Sequence, residues 1–172
     1  TVYQQQAKMD AAKNAYESSV KADEKFIVPY AQLARIAASQ QKWDDTATYS
    51  SRVIKLNPFF SPEIYFLNSV ANLNMQKIDV AEENAREAEK LDPKHQNPRI
   101  SALLGVILAQ KQDYKGAAEQ MRVYLKAAPN ASPSRMRRAK ASTVEASQAR
   151  SKHVEVVRTN DSYSSRCTGR IE

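Results

Sequence analysis

Three columns of residues recur in step along this chain. Met9, Trp43, Ile78 and Tyr114 lie 34, 35 and 36 residues apart, and the columns Ala12, Thr46, Ala81, Ala117 and Lys21, Lys55, Lys90, Lys126 keep the same spacings. A shared period of this length means that one supersecondary unit has been copied, and that each copy must bury its apolar face against its neighbours. The core is therefore expected to run along a stack instead of gathering at one centre.

Each unit reads as two helices. The first carries apolar residues three and four apart, as in Tyr30, Leu33, Ala34 and Ala37, then Ile64, Leu67 and Ala71, then Leu103, Leu104, Ile107 and Leu108. Trp43, Ile78 and Tyr114 plug the turn before the second helix, and a small residue three positions later lets the paired helices approach closely. Pro58, Pro93 and Pro129 follow the second helices, because proline has no amide proton to continue the helical ladder. Extra residues fall only between units, at Phe59 to Pro62 and Lys94 to Pro98. With Gly at 3 positions in 172 and Ala abundant, composition agrees with an all-α chain.

The residues Leu104-Gly105, Tyr114, Ala117, Tyr124 and Pro129 resemble the tetratricopeptide repeat family, bacterial members in particular. The likeness runs over about residues 7 to 129. It is loosest in the second unit, where Ala34 stands for the usual Gly and Thr46 for the usual Ala. It implies a right-handed α-solenoid of stacked antiparallel helix pairs, with three full repeats and a partial N-terminal one. The division expected is a repeat domain over 1–130, with the partial repeat at 1–25 and full ones at about 27–60, 62–95 and 98–130.

By the same resemblance, inward-facing residues of each first helix line a concave groove for a peptide or helix of a partner protein. In this register they are Ala31, Arg35 and Ser39, then Phe66, Val70 and Asn74, then Ala102, Val106 and Gln110. Arg35 is the only cation among them, so the expected ligand is apolar or amphipathic, with Phe66 as its anchor, and a clamp for a terminal carboxylate is disfavoured. Phe66, Val70 and Val106 are also compatible with plain core packing, since an apolar helical stripe usually is core. The aromatics Phe59, Phe60, Tyr65 and Phe66 have the same two readings, with packing preferred.

Nothing else in the chain points to chemistry. His95 and His153 have no ligand-spaced Cys, Asp or Glu around them, and Gly105, Gly116 and Gly169 write no phosphate-cradling loop. Cys167 has no second cysteine to pair with and lies in a segment without apolar periodicity. The acid pairs Asp44-Asp45 and Glu82-Glu83 are expected at helix starts, where the positive end of the dipole favours carboxylates. The sequence thus reads as a non-enzyme with no metal, no cofactor and no small-molecule substrate.

The net charge of +7 is concentrated at one end. From Ala131 onward nine Lys or Arg face four acids, which leaves a nearly balanced 17 against 15 before it. A weak capping helix over 131–151 and a disordered basic tail over 152–172 are expected. Through that tail the rival function is association with nucleic acid or an anionic membrane; another is that of a spacer in a larger multidomain protein. No apolar run reaches the roughly 18 residues of a membrane span, so a soluble protein of the cytoplasm or periplasm is expected. The chain opens at Thr1 within a helical pattern, which suggests a truncated N-terminus.

Overall fold

The computed structural model describes residues 2–128, with side chains from Lys8 onward. Pro129, the expected capping helix and the basic tail lie outside the described residues. Within them the chain forms seven helices: α1 (Val2–Ala22), α2 (Ile27–Ser39), α3 (Trp43–Leu56), α4 (Pro62–Asn74), α5 (Ile78–Leu91), α6 (Pro98–Gln110) and α7 (Tyr114–Ala127). Helices α2/α3, α4/α5 and α6/α7 pair as hairpins; α3 packs on α4 and α5 on α6, while α2 also touches α4 and α4 touches α6. The result is an all-α solenoid of repeats.

The columns mark structural positions. Trp43, Ile78 and Tyr114 are the first residues of α3, α5 and α7, and Thr46, Ala81 and Ala117 are buried one turn later. Met9, by contrast, sits inside α1, which continues without a turn back to Val2. The core is strung along the stack as expected. Ala31, Val53 and Ile64 form one cluster, Tyr65, Phe66, Ala88 and Ile100 the next, and Ala81, Ala85, Leu104, Ile107, Leu108 and Ala117 the last.

The turns inside the hairpins repeat as faithfully as the helices. Gln41, Gln76 and Gln112 stand 35 and 36 residues apart, and each adopts the left-handed region, at φ 57°, 62° and 64°. This conformation lets the next amide reach back five residues. Lys42 N–H donates to the Ala37 carbonyl, Lys77 N–H to Asn72 and Asp113 N–H to Leu108, each at 2.9 Å. Carbonyls that a helix end would leave orphaned are thereby satisfied.

Helix starts are capped unequally. Ser61 Oγ accepts from Glu63 N–H, Asn97 Oδ1 from Arg99 N–H and Asp113 Oδ1 from Gly116 N–H, whereas α3 and α5 have no side-chain cap. Asp44 and Asp45 do lie in the first turn of α3. Glu82 does not fill that role in α5, because it lies beyond the first turn; it pairs instead with Arg86 at 2.7 Å and with Lys111 of the next hairpin at 2.6 Å.

Candidate protein-binding groove

The first helices of the three hairpins share one face, and two side-chain pairs tie it together. Arg35 of α2 meets Glu63 at the start of α4, with Nη2 2.6 Å from Oε2 and Nε 3.3 Å from Oε1. The Arg99 guanidinium of α6 lies over the Phe66 ring of α4, 4.8 Å from its centroid. Each pair spans neighbouring first helices, so α2, α4 and α6 present a continuous polar and aromatic seam.

The electrostatics of the seam follow from these contacts. Hydrogen bonds from Arg35 hold the Glu63 carboxyl below the usual carboxylate range, with partial burial opposing and the charges of Arg35 and Arg99 assisting. The bond to Glu63 likewise raises Arg35. Arg35 is thus neutralised within the chain. Arg99 is exposed, stacked and in no salt bridge with a described residue.

The nine residues expected in the groove fall into three groups. Ala31 is buried against Val53 and Ile64, and Phe66 is 7% exposed within the cluster of Tyr65, Ala88 and Ile100. Arg35, Val70 and Ala102 are half-buried. Ser39, Asn74, Val106 and Gln110 are exposed, Val106 at 42%. Phe66 nevertheless lines a hollow of about 440 Å³ with Arg99, Ala102, Leu103 and Tyr124. Of the four neighbouring aromatics only Phe59 is fully exposed; Phe60 is half-buried, and Tyr65 packs beside Phe66.

Sequence reasoning passed over Val28, Glu63 and Arg99, which stand three residues before Ala31, Phe66 and Ala102. The signal was available, because one helical turn earlier on the same face is where an i−3 residue sits. Val28, in the first turn of α2, is 46% exposed, and Val106 of α6 is 42% exposed. Leu103 and Tyr124 were less legible, since the approach of α7 to the face of α6 is a tertiary fact.

No protein-family model and no curated protein sequence matches this chain. Solved structures do. MamA superposes with a TM-score of 0.75 at 19% identity, covering 90% of this chain and 86% of that one. YrrB, described as a tetratricopeptide repeat protein with an unusual peptide-binding site, gives 0.73 at 9% identity over 87% and 73%. The TPR2B domain of yeast Sti1, solved as a complex with pHsp70, gives 0.62 at 16% over 72% and 97%. The fold is that of tetratricopeptide repeat proteins. At these identities the likeness concerns the backbone path, and the tetratricopeptide columns are carried by this chain's own residues. Among the described residues, no three or more of His, Cys, Asp and Glu gather to hold a metal, and no helix is long and apolar enough to cross a membrane.

Proposed function

We propose that this chain is a non-catalytic scaffold that holds an apolar or amphipathic segment of a partner protein along the shared face of α2, α4 and α6. The observation that carries this reading is the hollow of Phe66, Arg99, Ala102, Leu103 and Tyr124, beside which the first helices α2 and α6 leave Val28 and Val106 exposed. Isolated exposed valines are ordinary on protein surfaces, but on first helices that share a face with an aromatic-floored hollow they add apolar surface next to the cationic Arg99. The internal pairing of Arg35 with Glu63 removes the charge that would otherwise make the α2 end selective for a carboxylate. The pHsp70 complex of the Sti1 TPR2B domain and the peptide-binding site named for YrrB agree with this use of the fold. A stack of preformed hairpins also loses little entropy on binding, so the ordering cost falls on the bound segment.

The test compares partner capture by the intact chain and by a Val28→Glu/Val106→Glu variant, at low and high salt. Both substitutions fall on exposed positions, so the repeats remain folded. Capture by the groove persists at high salt and disappears in the variant. Capture that survives the variant and collapses with salt would assign binding to the Arg-rich tail, and with it nucleic acid or an anionic surface.

A further inference from the structure

The opposite side of α4 carries a second anomaly. Asn68 and Asn72 occupy the columns in which the neighbouring units place Leu33 and Ala37, or Leu104 and Leu108. All six positions are buried, Asn68 at 2% and Asn72 at 6% exposed. Polar residues at two successive core columns demand hydrogen-bond partners. Asn68 finds a full set: its Nδ2 lies 2.9 Å from Ser50 Oγ, 2.8 Å from Ser51 Oγ and 3.3 Å from the Ala47 carbonyl, and its Oδ1 accepts from Asn72 Nδ2 at 2.6 Å. Asn72 does not. Its Nδ2 is used on Asn68, while its Oδ1 accepts nothing from the described residues and stays open to solvent.

Asn68 and Asn72 of α4 line a hollow of about 580 Å³ between α3 and α5, together with the apolar Ile54 and Val80. Asn84 lines it too, and its Oδ1 is likewise without a donor because only its Nδ2 is engaged, with the Val80 carbonyl. Lys55 and Lys77 also line it; neither forms a salt bridge with a described residue, and the lining contains no carboxylate. The hollow therefore offers acceptors from amide oxygens beside cationic donors at the rim.

This combination selects among ligands. An apolar helix would leave Asn72 Oδ1 buried and unpaired. A basic segment would meet two ammonium groups, and a free phosphate would turn its oxygens towards the two amide oxygens. An extended peptide with acidic side chains suits both amides and both lysines, its backbone N–H donating to Asn72 and Asn84 and its carboxylates accepting from Lys55 and Lys77. We propose that the hollow between α3 and α5 is a second docking site, for an extended acidic segment of a protein, on the side of α4 opposite the groove.

Fluorescence anisotropy tests this with the full chain and a labelled peptide of alternating Glu and Gly, beside its Lys–Gly counterpart. The Glu–Gly peptide binds and the Lys–Gly peptide does not. Lys55→Gln/Lys77→Gln, which alters only exposed side chains, weakens binding about tenfold, as the loss of two solvent-screened ion pairs requires. Asn72→Leu weakens it severalfold, and Val106→Glu leaves it unchanged, so failure here is distinguishable from failure of the groove. Equal affinity of the double-lysine variant and the parent, as when the basic tail holds the peptide, overturns the proposal; so does absence of binding by the Glu–Gly peptide.

Discussion

Arg35 and Glu63 join α2 to the first turn of α4 through two hydrogen bonds, one to each carboxylate oxygen, the shorter at 2.6 Å. Glu63 gains twice, since a carboxylate in a first turn also meets the positive end of the helix dipole. Its folded-state pKa is depressed, chiefly by the bonds from Arg35. The stability this confers is therefore complete above the ordinary carboxylate range, and it is lost as pH falls through the folded value. With the side chains 38% and 45% exposed, solvent screening limits the pair to about 0.5–1 kcal/mol. Glu63→Gln should lower stability by that amount at neutral pH and by nothing measurable in strong acid, as read from denaturant midpoints of both proteins at each pH.

The buried asparagines make an unusual prediction about stability. Asn68→Ala takes the donor from buried Ser50 and the Oδ1 acceptor from Asn72, empties a buried core column, and costs about 1–3 kcal/mol. Asn68→Leu/Asn72→Leu restores the residues that the fourth unit uses at these columns and removes both amides together. Ser50 keeps its bond to the Thr46 carbonyl at 2.6 Å. The double variant is expected within about 1 kcal/mol of the parent by thermal or denaturant unfolding, because replacing both partners by apolar groups is nearly neutral.

The three left-handed glutamines are a repeated local strain. An L-residue in this region costs about 1–2 kcal/mol, a cost glycine escapes at the expense of a freer unfolded chain. Gln76→Gly should raise stability by up to about 1 kcal/mol, and Gln76→Val should lower it, because a β-branched side chain tolerates positive φ least. Melting curves of the two variants check the sign directly. The bond from Lys77 N–H to the Asn72 carbonyl links this turn to the floor of the α3/α5 hollow, so Gln76→Gly leaves that hollow intact.

The repeat was legible because its columns are set by contacts every unit must make: a large residue opening each second helix, a small one a turn later, a proline after the end. The glutamine column was equally visible at Gln41, Gln76 and Gln112, but glutamine is not a residue that propensity associates with a left-handed turn. Site residues were harder to place. Spacing puts Ala31 and Phe66 on the inner side of their helices, yet whether such a side chain is covered depends on how closely the next hairpin approaches. Val53 and Ile64 close over Ala31, and Arg99 roofs Phe66. Asn68 and Asn72 could have been noticed as polar breaks in apolar columns, although only packing shows that one is saturated and the other is not.

Phe66 and Arg99 separate folding from binding. Phe66 is packed with Tyr65, Ala88 and Ile100, so Phe66→Ala opens a cavity at the junction of two hairpins and costs about 3–5 kcal/mol. In a stack held by nearest-neighbour interfaces, that loss weakens the α4/α5 junction with α6 whether or not a ligand uses the ring. Loss of binding in Phe66→Ala would therefore say little about the groove. Arg99 is exposed, and Arg99→Ala forfeits only a stacking contact of about 0.5–1 kcal/mol. If the groove holds its partner over the hollow they share, Arg99→Ala weakens partner binding while the unfolding midpoint hardly moves. Partner affinity that tracks stability across both variants would instead place Phe66 and Arg99 in the fold alone.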